Sequence, residues 1–370
     1  MAMTRIQMRN AWFQAHKWIG LILAILIIPI SLTGSALVWD HQVDALLHPA
    51  RYHASGPAAL SPATYVAHAE ARLGPNMRVS RLMLSDDAPV QVQAVEAKQS
   101  RGRPARTTVY LSPASGAVVD VAKSGSGLLF VFHRLHGSLM VPGIGRQVVG
   151  WIGVAMLISC ISGIWLWWPT AGSWIRGLRW RRHRNTDTNL HHLLGFWIAL
   201  PLAVLSFTGA WISFPQFFGQ FEAKQPQQQR AGPGRRELMR AKPLAAPVLT
   251  LDQALSRAAS VAPGAVRSVN WPTDLQARWT VTTSGGQARV DDATGMARRD
   301  RARRGEGGSM NLSRWMRVIH DGHDMPLLWQ CIVFLGGIIP AILAVTGIIM
   351  WWRARDWRTA QKRRRKRQTA

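Results

Sequence analysis

Four stretches of this 370-residue sequence contain no acidic or basic side chain: 18–39, 148–168, 193–214 and 327–352. Each supplies the roughly 20 apolar residues that a helix needs to cross a ~30 Å hydrocarbon layer. Tryptophans stand at or near their ends, as indole rings do at a membrane interface. The chain is therefore expected to cross a bilayer four times.

The four runs are related in pairs. A shift of 175 positions carries His16, Gly20 and Thr33-Gly34 onto His191, Gly195 and Thr208-Gly209 without a gap. A shift of 184 carries Leu135-His136, Ser162-Gly163-Ile164 and Trp167-Trp168 onto Ile319-His320, Thr346-Gly347-Ile348 and Trp351-Trp352. Each half thus reads span, exported segment, span. The first run is longer than the core of a secretory leader, and its counterpart in the second half cannot be one, so it is expected to stay in place as a span.

The net charge of +26 would suit a nucleic-acid partner, but its placement argues for a membrane. Basic residues gather at Arg5, Arg9 and Lys17, at Arg176, Arg179, Arg181, Arg182 and Arg184, and at Arg353, Arg355, Arg358 and 362–367. The positive-inside rule makes these three places cytoplasmic. Both termini then lie inside, and 40–147 and 215–326 lie outside. The basic tail is read as a topology anchor against anionic lipid, with no nucleic acid involved. The two cysteines, Cys160 and Cys331, sit in apolar runs with no Cys-x-x-Cys spacing, so any redox cofactor must be held by other side chains.

In the first exported segment, Ser61-Pro62 opens a helix to Ala71. Strands are expected at 77–83, 90–95, 107–111 and 117–121, the last two joined by a turn at 112–116. The second segment repeats the order: a helix from Thr250 to Ala259, then strands at 266–270, 278–283 and 288–290 and a turn at 291–295. Stretches 223–240 and 297–308 read as a linker and a solvated Arg/Gly loop.

His16 and Gly20 share a helix face, as do His191 and Gly195. Gly34 and Gly209 follow eighteen residues after the histidines, five full turns on the same face. Two such faces can clamp a planar ligand, and a helical bundle can supply one axial imidazole from each side of a haem iron. His136 and His320 make a second equivalent pair. Pro142-Gly143-Ile144-Gly145 and Pro326 separate them from the following spans, so they belong on separate helices at the outer face. His192, His133 and His323 are neighbours that could take a ligand's place. His41, His48, His53, His68 and His183 have no counterpart and read as surface histidines. A bare metal site would recruit acidic ligands or cysteine as well, and nothing acidic accompanies His136. Proton relay and transport are further readings, although four spans without a buried charge make a poor translocation path.

These motifs resemble those of the PepSY-associated transmembrane family: His-x-x-x-Gly opening the first and third spans (His16/Gly20, His191/Gly195), Leu-His or Ile-His-x-Gly before the second and fourth (Leu135-His136, Ile319-His320-Asp321-Gly322), and Gly163 and Gly347 ahead of the tryptophan pairs. Asp-x-x-Thr-Gly, the PepSY strand–turn signature, stands at 291–295 and is blurred to Ser112-Pro113-Ala114-Ser115-Gly116 in the first half. The resemblance covers almost the whole chain.

It implies a membrane α+β fold: a four-helix bundle built from two tandem helix–PepSY–helix halves, with two small periplasmic PepSY-like domains. The expected division is a cytoplasmic N-terminus (1–17), spans at 18–39, 148–168, 191–214 and 327–352, and periplasmic domains at 40–125 and, with a linker, 215–310. Histidine-bearing interfacial segments at 126–147 and 311–326, a basic cytoplasmic loop (169–190) and a cytoplasmic tail (353–370) complete it. The resemblance further implies an inner-membrane oxidoreductase with two b-type haems, one on His16 and His191 and the other on His136 and His320, with Gly20, Gly195, Gly34 and Gly209 packing against them. Its substrate would be a ferric siderophore or other ferric chelate. The sequence holds no Gly-x-Gly-x-x-Gly fingerprint, so a quinol or a cytoplasmic reductase is the expected separate donor. A non-catalytic PepSY protein that binds a peptide, peptidase or metal chelate is the alternative.

Overall fold

The computed structural model describes residues 4–54, 56–97, 105–171, 173, 175, 183–221, 235–238, 240–300 and 311–368. The chain forms two compact units, one from 1–40, 131–224 and 310–370, the other from 41–130 and 225–309.

The first unit holds four long helices: α1 (Arg5–Val38), α6 (Gly145–Ala171), α7 (Thr186–Ser213) and α10 (Leu327–Gln368). Each contains a stretch long and apolar enough to cross a membrane. Side chains such as Ile22, Ile25, Trp151, Trp197 and Leu200 point outward, which only a lipid surround makes inexpensive. α1 packs most extensively on α10 and α6 on α7, and α1–α6 and α7–α10 contacts close the bundle. Small residues let the helices approach. A methyl on Gly337 would overlap Ser31 O and Ser35 Oγ of α1, and the Ser35 hydroxyl donates to Phe334 O at 2.6 Å. Gly153 of α6 similarly faces Ser206 O of α7.

Two shorter helices complete this unit. α5 (Leu128–Ser138) belongs to it from Val131 onward, and α9 (Leu312–Asp321) packs on α7. The breaks expected at 142–145 and at Pro326 separate them from α6 and α10. The basic tail is not a loose end: α10 continues through it to Gln368.

The second unit begins with α2 (Asp40–Leu47) and α3 (Pro49–His53) and is built on one antiparallel sheet. Its strands are β1 (Met77–Met83), β2 (Val90–Glu96), β3 (Arg106–Leu111), β4 (Val118–Lys123), β5 (Val266–Asn270), β6 (Arg278–Thr283), β7 (Gly286–Asp291) and β8 (Ala297–Asp300). The order β4-β3-β2-β1-β5-β6-β7-β8 reads the same from either edge toward the centre. Two helices, α4 (Pro62–Leu73) and α8 (Leu251–Ala259), cover one face, each entered through a side-chain cap at Ser61 or Thr250. Tyr65 and Ala69 of α4 and Ala254 and Ala258 of α8 close over Leu82, Val92, Val109, Val269, Val281 and Val290, all fully buried. At roughly 1.5–3 kcal/mol per buried Val or Leu, this layer holds the unit together.

Three expectations change. The two domains expected to be separate share one continuous sheet, because β1 and β5 pair through Arg81↔Asn270, Leu82↔Val269 and Met83↔Ser268 and so cover each other's edges. Ala297–Asp300, read as part of a loop, is strand β8, since its backbone pairs with β7 despite a charged sequence; 301–308 lie outside the described residues. Arg235–Leu238, read as linker, forms a helical turn; 223–234 and 239 lie outside the described residues. The Asp-x-x-Thr-Gly turn forms as the signature requires. The Asp291 carboxylate accepts the Thr294 N–H and hydroxyl at 2.9 Å each, and Gly295 takes the left-handed conformation (φ 66°).

Candidate functional site

The first unit brings the four sequence-paired histidines together two by two. His16 of α1 faces His191 of α7 with ring centroids 6.4 Å apart, and His136 of α5 faces His320 of α9 at 5.9 Å. A metal ion bound at about 2.0 Å to one nitrogen of each ring, with the two nitrogens on opposite sides, puts the centroids about 6 Å apart.

Nδ1 of every ring is held by the bundle. His16 Nδ1 lies 3.1 Å from Ser159 O and from Ser162 Oγ, and His191 Nδ1 lies 3.0 Å from Thr346 Oγ1. His136 Nδ1 meets Ile30 O at 2.8 Å, and His320 Nδ1 meets Leu205 O at 3.0 Å and Thr208 Oγ1 at 3.1 Å. The Thr208 and Thr346 hydroxyls already donate to carbonyls one turn back, so each accepts from the imidazole. Carbonyls can only accept, so Nδ1 carries the proton and Nε2 keeps its lone pair. Among the described residues Nε2 of none of the four makes a hydrogen bond. Burial holds His136 and His320 below the ordinary imidazole range, against a backbone hydrogen bond that pulls each upward, so both are neutral at pH 7. A neutral, oriented imidazole with a free Nε2 is the metal-binding form.

A Ser/Thr-Gly pair lies beneath each ring. Cε1 of His136 lies 2.6 Å from where a Cβ on Gly34 would stand, and Cε1 of His320 lies 2.9 Å from that of Gly209. The corresponding distances for His16 over Gly163 and His191 over Gly347 are 3.2 and 3.5 Å. Gly34 and Gly209 were expected beside His16 and His191, and they support the other pair instead. Eighteen residues keep a helix face but advance about 27 Å along it, to the opposite end of the span. Gly20 and Gly195 do lie one turn from their histidines. Among the described residues nothing stands within 4 Å of where a Cβ on Gly20 would lie, and Leu343 at 3.9 Å is the neighbour of that on Gly195. The partner glycines, Gly163 and Gly347, were visible in the sequence as repeat markers. Matching four histidines against four Ser/Thr-Gly pairs would have found them.

The neighbouring histidines point elsewhere. His192 lies against His183, ring centroids 4.7 Å apart. His133 is exposed, and His323 is exposed and 4.0 Å from Asp40. Among the described residues no third His, Cys, Asp or Glu joins either pair as a metal cluster. Each site could therefore give a bound metal two imidazole nitrogens.

The fold and these two sites define a four-span membrane α+β protein with a facing histidine pair toward each end of its bundle. The chain belongs to the PepSY-associated TM region family, whose model matches residues 13–354. Over 80 residues it is 38% identical to an uncharacterized protein of Pseudomonas aeruginosa, a stretch covering 21% of this chain and 20% of that protein.

Proposed function

We propose that this protein is an inner-membrane oxidoreductase that carries electrons through two b-type haems to a ferric chelate on the outer side. The supporting observation is the arrangement of the histidines: two facing pairs, every Nδ1 engaged and every Nε2 available, with two protein ligands per site. A planar macrocycle supplies the four remaining ligands of a six-coordinate iron, which suits a two-imidazole site better than a bare metal. His16 and His191 would hold the inner group and His136 and His320 the outer one, and bound haem supplies one-electron chemistry at each end.

The basic clusters favour an orientation with both chain termini in the cytoplasm and the sheet unit in the periplasm. The repeat and the symmetric strand order favour two tandem halves, each giving one histidine to each site. The chain's own contribution is to fix each imidazole as the Nδ1–H tautomer, keep it neutral and exclude water from the bundle. Reduction of the substrate converts Fe(III) to Fe(II), a less highly charged ion that oxygen donors hold less tightly, and so frees the iron.

Protein purified from haem-replete cells should carry two haems per chain, show a Soret band that shifts with dithionite, and be reoxidised by a ferric chelate as an Fe(II) trap is filled. A colourless preparation would overturn this reading in favour of a binding protein.

A further inference from the structure

At the end of α7 and α10 that carries the His16/His191 pair lies a cleft of about 320 Å³ lined by Asn185, Thr188, Met350, Arg353, Ala354 and Trp357. It lies about one helical turn from the inner histidine site along both helices. Thr188 precedes His191 by three residues on α7, and Met350 follows Thr346, which bonds His191, by four on α10. Both spacings keep the residues on one helix face, about one turn, or 5 Å along the helix axis, from His191 and from its partner Thr346.

The lining defines what can bind. Met350, Ala354 and Trp357 offer an apolar wall, and Asn185 and Thr188 offer neutral hydrogen-bonding groups. The cation of the lining, Arg353, is paired with Asp187 through two hydrogen bonds of 3.0 and 2.9 Å, which commit one edge of its planar fork. A phosphate-bearing nucleotide needs an uncommitted cation. A neutral flat ring with two hydroxyls needs only what these side chains provide. Trp357, 64% exposed at the end of the span, marks a place reached from the membrane interface.

We propose that this cleft binds the head ring of a lipid-soluble quinol, the electron donor of the protein; the inference rests on the proposed function for the electrons' destination. Both quinol O–H bonds break, giving the quinone, two protons and two electrons. The protons pass to water at the open cleft. The electrons leave one at a time toward the His16/His191 site and end on two ferric chelates, each reduced from Fe(III) to Fe(II).

The test is equilibrium binding of decylubiquinone to the detergent-purified full chain, with reduction by decylubiquinol followed alongside. Ala354→Trp fills the cleft from an exposed position and should weaken binding by at least about tenfold. Thr188→Val removes one hydrogen bond and should weaken it about fivefold. Both variants should keep the wild-type absorbance spectrum and dithionite response. Quinone binding can be measured on a colourless protein too, so failure of the cleft and failure of the haem reading are separable. Unchanged binding in Ala354→Trp would overturn the proposal. So would a changed spectrum in that variant, which would give the cleft to the macrocycle's carboxylates, or reduction by a nicotinamide or flavin nucleotide in place of the quinol.

Discussion

Gly34 and His136 meet at a distance that no side chain on the first would allow: a Cβ there would stand 2.6 Å from Cε1 and 2.8 Å from Nδ1 of the imidazole. His136 Nδ1 is bonded to Ile30 O, one turn back on the same helix, so the ring cannot step aside without losing that bond. Gly34→Ala is expected to displace His136 and empty the outer site, and Gly209→Ala to do the same through His320. Gly347→Ala places its methyl 3.5 Å from His191, an ordinary contact, and should be tolerated. The haem-to-protein ratio of the purified variants measures this: it should fall from about two to about one in the first two and stay near two in the third.

The histidines should act in pairs. His16→Ala and His191→Ala are each expected to remove the same half of the bound haem, and His136→Ala and His320→Ala the other half. His192→Ala and His133→Ala should leave the ratio unchanged, because the His192 ring lies against His183 and His133 is exposed. Spectra of the four single variants check this. Retention of both haems in any of them would overturn the assignment.

Hydroxyls that accept from Nδ1–H should tune affinity without abolishing it. Thr346→Val and Thr208→Val each remove the hydroxyl partner of an imidazole Nδ1, while a backbone carbonyl remains in place, Leu343 O for His191 and Leu205 O for His320. Loss of such a partner weakens metal binding about 10–100-fold. Each substitution should therefore weaken its own site toward the lower end of that range, as read by competitive haem transfer to an apo-acceptor.

The second unit carries its own pH signature. Arg51, only 9% exposed, lies between Asp120 (2.5 Å from its Nε) and Asp44 (3.1 Å), and Tyr52 donates its hydroxyl to Asp44 at 2.9 Å. Burial alone would raise both carboxyls. For Asp44 the Tyr52 hydrogen bond and the Arg51 charge outweigh it, and for Asp120 the Arg51 hydrogen bond does, so both lie below the ordinary carboxylate range. Their contribution is present above the unfolded value of about 4 and is lost as pH falls through the lower folded values. Tyr52 is pushed up to about 12 by burial and by Asp44, so its contribution is full below the unfolded value of 10 and fades between there and about 12. Asp120→Asn should cost roughly 1.5–3 kcal/mol near pH 7 and flatten the acid limb of unfolding followed by circular dichroism.

Much of the fold was legible. The spans could be read because no soluble fold needs four charge-free helices, and β2, β3 and β6 because their buried residues alternate along the strand. β8 escaped because Ala297–Asp300 is mostly charged, and strand pairing rather than its own pattern makes it a strand. The join of β1 to β5 was equally hidden, since local sequence does not state which strand edge covers which.

The repeat alone singled out the histidines that the bundle brings face to face, since equal spacing in two copies separates His16, His136, His191 and His320 from the other eight. What supports each of them was decided only by the tertiary structure. Gly34 shares a helix face with His16, yet it ends up beneath His136, because helical periodicity fixes the face of a residue and not its depth in the bundle. Depth and partner depend on how α1, α6, α7 and α10 pack, and there the Ser/Thr-Gly of one helix meets the imidazole of another.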